Sequence, residues 1–229
     1  MRENQAEAKM ADLQTEDSVT PRQSDLDAEL ALSAAASAAA NALRAGARAP
    51  LFTLTDTIGQ RVSLEALLRA GPAVLHFFRG GWCTFGERSL ADLATGYDDM
   101  LALGASAVAI APPCERPAHH AAGGLRELLD VDLKLARAYG VAFELPVRLR
   151  ASYEQLGCAT PSASEASRWL VPIPATFLID RDGRIALAHV DVDYRKRLDI
   201  ESLLRALKAL HARHATKLHA LRERLGRSL

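Results

Sequence analysis

An α/β fold with a mixed central sheet, helices on both of its faces and an extra helix in front is what this 229-residue chain predicts. Three observations carry that expectation. Apolar runs of strand length alternate with helix-period segments through the middle of the chain, which implies strands joined through helices and hence a parallel core. One run, Ala73-Val-Leu-His-Phe-Phe78, is almost continuously apolar and stands between Gly71-Pro72 and Gly80-Gly81, as suits a central strand covered on both faces. A late pair, 175–179 and 184–190, is joined by Asp180-Arg-Asp-Gly183 and reads as a hairpin that adds antiparallel strands.

Taken in order, residues 1–24 are polar and charged, without apolar periodicity, and are expected to form a disordered tail. Residues 25–49 are dominated by alanine and predict a helix from Asp25 to Ala45, with Gly46 as its stop. Two readings of it stand: a helix lying loosely on the domain, or one that pairs two chains in a homodimer. The globular domain is expected over 50–211. Its strands and turns at 51–55, 56–59 and 61–64 form a short hairpin, followed by a short helix at 65–69 and the strand at 73–78. A helix then runs over 87–103, with Leu90, Leu93, Tyr97, Met100 and Leu101 at helical spacing, and a strand over 106–111. Two short helical segments, 125–129 and 133–139, precede an irregular stretch of about 30 residues. After the hairpin, Asp199 caps a last helix striped by Leu203, Leu204, Leu207 and Leu210, whose end, 212–229, extends past the domain.

Lys plus Arg and Asp plus Glu balance at 28 each, so no global field draws the protein to nucleic acid or to an anionic membrane. No apolar run approaches the roughly 18–20 residues that span a bilayer. The first residues lack the basic and apolar regions of a signal peptide, and the expected location is cytoplasmic. Three cysteines, Cys83, Cys114 and Cys158, are too few for a disulfide framework and lack zinc-site spacing. His119-His120 has no further ligand at hand in the sequence, so neither a metal nor any other cofactor is expected.

Cys83 stands out. In Phe77-Phe-Arg-Gly-Gly-Trp-Cys83 a buried strand ends, two glycines turn the backbone, and the cysteine falls just ahead of a helix. Free N–H groups and the positive end of the helix there favour a thiolate over a thiol, and Arg79 is a candidate second positive charge. Trp82 is expected to shield the cysteine, with Thr84 and Trp169 completing the pocket.

The same residues resemble the F-[FY]-R-G-x-W-C signature of peroxiredoxin-like proteins of the alkyl hydroperoxide reductase/thiol-specific antioxidant (AhpC/TSA) family, within the thioredoxin-like superfamily. Ala136-Arg-Ala-Tyr-Gly-Val-Ala-Phe-Glu-Leu-Pro146, Val171-Pro-Ile-Pro-Ala-Thr-Phe-Leu-Ile-Asp180 and His189-Val-Asp-Val-Asp-Tyr-Arg195 extend the likeness. The resemblance implies a thioredoxin-like fold, with Cys83 as the nucleophile that attacks a hydroperoxide and becomes a sulfenic acid. An external thiol, thioredoxin or a small one, would then reduce it, unless Cys158 or Cys114 serves as an internal resolving thiol. Pro174 matches the proline that in such folds is often cis and faces the reactive cysteine. Departures narrow the expectation. Gly86 replaces the second cysteine of W-C-P-Y-C relatives, so no CxxC disulfide forms. Gly80 and His76 stand where peroxiredoxins carry a hydroxyl residue and a proline, and no arginine precedes Thr176-Phe177. Thiol–disulfide exchange through a single cysteine, and a non-catalytic redox sensor or interaction module, are therefore the alternatives to a peroxidase with an antioxidant role.

Overall fold

The structure, a computed structural model, describes residues 20–114, 124–158, 168–196 and 199–226. The expected disordered tail and the His119-His120 pair lie outside these residues, save the start of the first helix. That helix, α1 (Thr20–Ala39), begins and ends earlier than its alanine content suggests. Pro21 suits the first helical turn, where its missing N–H is not needed. Past Ala39 the chain is taken up by tertiary pairing, Leu43 N–H donating to the Tyr139 carbonyl and Gly46 N–H to that of Ile185. Ala31 and Ala35 are buried in the core, so α1 is packed on the domain.

The sheet has seven strands: β1 (Thr53–Asp56), β2 (Arg61–Ser63), β3 (Ala73–Phe77), β4 (Ser106–Ala111), β5 (Arg126–Leu129), β8 (Ala175–Ile179) and β9 (Ile185–Val190), in the order β2-β1-β5-β4-β3-β8-β9. β3 is parallel to β4 and antiparallel to β8, and β4 is parallel to β5. The hairpin of β8 and β9 and the central place of β3 are as the sequence predicts. The segment 125–129 is not helical. Its four-residue core is a strand that joins β4 to the antiparallel β1, because Leu128 reaches full burial only inside the sheet and tertiary pairing overrides a helical pattern this short. The irregular stretch also carries order: β6 (Ala142–Glu144) pairs antiparallel with β7 (Leu170–Pro172), and two short helical segments, a 3₁₀ turn at Val147–Leu149 and the helix Arg150–Gln155, lie between them.

Three further helices frame the site. α2 (Leu64–Ala70) is capped by the Ser63 hydroxyl, which accepts from Ala66 N–H. The expected helix over 87–103 is two, α3 (Thr84–Thr95) and α4 (Tyr97–Ala102). At the break, a Cβ on Gly96 would stand 2.8 Å from an Ile200 methyl, so the last helix packs directly on this backbone. After α5 (Lys134–Ala138) and α6 (Arg150–Gln155) comes that last helix, α7 (Ile200–Gly226), with Leu203, Leu207 and Leu210 buried. Its His214 is turned onto the domain, Nε2 lying 2.9 Å from Asp180 Oδ1.

Alternation along β3 divides the interior in two. Ala73, Leu75 and Phe77 face a core shared with Tyr139, Phe177, Trp82 and Cys83. Val74 and Phe78 face a second core with Leu90, Leu93, Met100 and the leucines of α7, and His76 lies on this side.

Candidate active site

The Cys83 turn is built where β3 ends. Phe78 N–H still pairs with the Ile110 carbonyl, and then Gly80 adopts φ +96°, a conformation that only glycine takes at little cost. Its carbonyl accepts from Cys83 N–H at 3.2 Å, closing the turn, and Cys83 becomes the N-terminal cap residue of α3. A Cβ on Gly86 would stand 3.0 Å from that same carbonyl oxygen and 3.5 Å from Arg79 N. A side chain at residue 86 would crowd the strand end, so glycine favours this close approach of the helix. The residue that excludes a CxxC disulfide is thus also the one that lets α3 meet the turn.

Arg79 is 3 % exposed, Trp82 6 % and Cys83 7 %. The guanidinium carbon of Arg79 lies 4.2 Å from the ring centre of Tyr194, 4.9 Å from Trp82 and 5.0 Å from Tyr153, an aromatic cage whose ring faces attract the cation. Phe85 meets Tyr194 edge-on at 5.6 Å, and Trp82 meets Tyr153 at 5.6 Å. Burial works against the charge on Arg79, but Tyr153, Cys83 and Tyr194 act the other way and hold its pKa above the ordinary guanidinium value. The Tyr153 hydroxyl accepts from the guanidinium. Nε and Nη2, and the indole Nε1 of Trp82, are buried with no hydrogen-bond partner.

Cys158 shares this environment. Its N–H donates to the Tyr153 carbonyl, and the thiol is buried in the same core as Cys83. Burial pushes its pKa up to about 11, with Arg79 pulling the other way and the Cys114 and Cys83 sulfurs reinforcing the rise. Cys114 packs against the edge of this core, and none of the three cysteines is in a disulfide.

Three other expected site residues are not part of the cage around Arg79. The peptide bond before Pro174 is trans, since no cis bond occurs among the described residues. The trans form is the lower-energy isomer by about 0.5–1 kcal/mol, and it suits a chain held on both sides: Ile173 N–H donates to Val141 O, and Pro174 O accepts from Asp191 N–H. Pro174 lines a small pocket with His76 on the other face of the sheet. Trp169 stacks at 6.0 Å from Arg150 and is not among the rings around Arg79. Thr84 is exposed at the start of α3.

Sequence reasoning missed two cage residues and one network. Tyr153 lies in the stretch that reads as irregular, and Tyr194 stands within the likeness at 189–195 with no local mark of a role. On the opposite face, His76 Nδ1 is 2.9 Å from Thr176 Oγ1 and Nε2 is 2.9 Å from Ser89 Oγ. Burial, reinforced by His189 and opposed by Asp92, lowers the His76 pKa to about 4. The adjoining pocket, about 20 Å³, is lined also by His189, Asp191 and Lys196, room for about one water. No group of three His, Cys, Asp or Glu side chains suited to a metal occurs among the described residues.

Residues 45–188 match the model of the AhpC/TSA family. The chain belongs to the AhpC/TSA family. Among solved structures, peroxidoxin BcpB from Mycobacterium tuberculosis is similar at 20 % identity and a TM-score of 0.51, over 73 % of this chain and 97 % of its own. The reduced 2-Cys peroxiredoxin of Plasmodium vivax aligns at 14 % identity and 0.55, over 76 % and 84 %. A putative thiol:disulfide interchange protein DsbE from Chlorobium tepidum aligns at 22 % and 0.50, over 74 % and 99 %. A search of curated protein sequences found no match. At these identities the likeness establishes the thioredoxin-like fold of this AhpC/TSA chain. No helix among the described residues is long and apolar enough to cross a membrane.

Proposed function

We propose that this AhpC/TSA protein is a thiol-dependent peroxidase whose nucleophile is Cys83. The observation that carries the reading is Arg79, a buried cation held by three aromatic rings beside Cys83, with two N–H groups unused. An anionic sulfur is stabilised there by the guanidinium and by the N-terminus of α3. This arginine comes from the strand end rather than from the position before Thr176-Phe177. The thiolate attacks the terminal oxygen of a hydroperoxide. The S–O bond forms, the O–O bond breaks, and the alkoxide or hydroxide leaves and takes up a proton. An external thiol then attacks the sulfenic sulfur, releasing water and giving a mixed disulfide that a second thiol reduces.

The closed setting of the sulfur favours a small peroxide over a protein disulfide, so single-cysteine thiol–disulfide exchange is the weaker reading. A buried Cys158 thiol with a pKa near 11 is almost entirely protonated at neutral pH, which supports an external reductant. The decisive test is chemical trapping. The reduced protein, treated with a modest excess of hydrogen peroxide and then with dimedone, is expected to carry the adduct on Cys83, and Cys83→Ser is expected to carry none. Absence of the Cys83 adduct in the wild type overturns the proposal.

A further inference from the structure

The Cys83 turn holds more hydrogen-bond donors than its own atoms use. Among the described residues, Arg79 Nε, Arg79 Nη2 and Trp82 Nε1 are the buried side-chain nitrogen and oxygen atoms without a hydrogen-bond partner, and all three belong to one five-residue turn. A buried donor left unpaired is destabilising, and natural interiors leave few of them. Three such donors gathered beside a nucleophile have one common explanation, an acceptor that arrives with the substrate. Arginine and tryptophan side chains donate and never accept, so the acceptor is a lone-pair atom such as oxygen. Nε and Nη2 form one edge of the guanidinium, the edge that grips two oxygens side by side. Trp82 Nε1 lies over Gly80: a Cβ built there would stand 3.3 Å from Trp82 Cδ1 and 3.5 Å from Nε1. The indole thus fills the space of the absent side chain, against the residue whose carbonyl fixes Cys83 N–H.

We infer that Trp82 Nε1–H, together with the Nε/Nη2 edge of Arg79, is the receptor for oxygen at Cys83. It donates to the peroxide oxygen as that atom is transferred, and then holds the same atom on the sulfur. The inference rests on the peroxidase reading of Cys83. The thiolate attacks ROOH, the S–O bond forms as O–O breaks, and the sulfenic proton passes to the departing alkoxide. The products are Cys83 sulfenate and ROH. One negative charge enters and one remains, now on oxygen among three N–H donors and next to a cation.

Two measurements test this. The rate of Cys83 sulfenylation by hydrogen peroxide is followed from pH 6 to 9 in the wild type and in Trp82→Phe, which keeps a packed ring and lacks the N–H. Loss of a donor to developing oxyanion charge is expected to slow the variant about tenfold or more, by the same factor at every pH. An unchanged rate overturns the inference, as does a deficit that vanishes at high pH, which would assign Trp82 to the thiolate instead. The second measurement uses the wild type, so it stands if Trp82→Phe does not fold. The chain has two tryptophans, and Trp169→Phe identifies the Trp82 indole N–H signal by NMR. On stoichiometric oxidation of Cys83 that signal is expected to move downfield as it gains an acceptor. A signal unmoved while the dimedone adduct forms overturns the receptor and leaves the peroxidase reading intact. No adduct in the wild type overturns the peroxidase reading first.

Discussion

The two faces of β3 bury polar side chains in opposite ways. On one face His76, 1 % exposed, has both ring nitrogens within 2.9 Å of a hydroxyl. Beyond the end of the same strand Arg79, almost as deeply buried, leaves two N–H groups unmatched inside its cage of rings. Natural interiors pair nearly all their buried polar atoms. A satisfied buried histidine therefore reads as a structural tie, here joining α3 to β3 and β8. An unsatisfied buried cation beside a cysteine reads as a site waiting for a ligand. The difference is one of satisfaction, not of burial or charge.

Removing Arg79 breaks the comparison most forcefully. Arg79→Gln keeps polar volume but discards the charge and most of the donor fork, and is expected to slow Cys83 sulfenylation at pH 7 by about 10²-fold, the scale of losing a preorganised oxyanion donor. Stopped-flow peroxide oxidation checks it. A rate within a few-fold of wild type would place Arg79 among structural cations and erase the distinction between the faces.

His76 gives the converse. His76→Leu strands the Ser89 and Thr176 hydroxyls in the interior, and is expected to cost about 2–3 kcal/mol of stability by urea titration while leaving the sulfenylation rate within about threefold of wild type. It carries a pH signature as well. Folded His76 takes a proton only near pH 4, whereas the unfolded side chain takes one near its ordinary value of 6.5. Between those values the unfolded chain binds more protons, so this contribution is present in full above pH 6.5 and is lost as the pH falls toward 4, on the order of 3 kcal/mol in all. His189, Asp92, Asp191 and Lys196 face the same region, so the relevant quantity is the slope that disappears in His76→Leu. An unchanged slope in the variant would assign the acid sensitivity to those neighbours.

Which parts of this were legible in the sequence follows from how local each feature is. β3, the β8–β9 hairpin and the turn at Gly80 write themselves in contiguous residues, because glycine and a buried apolar run mean much the same in any context. The strand Arg126–Leu129 did not, since only pairing between β1 and β4 tells it from a helical turn. The cage was still less visible. Arg79 sits in the signature, but Tyr153 and Tyr194 reach it from 74 and 115 positions away, and a single tyrosine in a loop carries no local mark of the cation it will cover. The trans bond at Pro174 and the place of Trp169 beside Arg150 are likewise products of assembly, whatever family position these residues match.

Cys158 sharpens the last contrast, between the proposed nucleophile and a thiol merely nearby. It is in the same core as Cys83 and feels Arg79, so proximity alone would make it the partner that resolves the sulfenic acid. Its chemistry argues otherwise. With a pKa near 11, about one molecule in 10⁴ carries the thiolate at pH 7, and the thiolate is the attacking species. Cys158→Ser is therefore expected to leave both the sulfenylation rate and peroxide turnover with an external thiol unchanged within error, and mass spectrometry of the oxidised wild type is expected to show no Cys83–Cys158 disulfide. Loss of turnover in the serine variant, or appearance of that disulfide, would mean that the segment carrying Cys158 opens and exposes its thiol after Cys83 is oxidised, and the resolving step would then be internal.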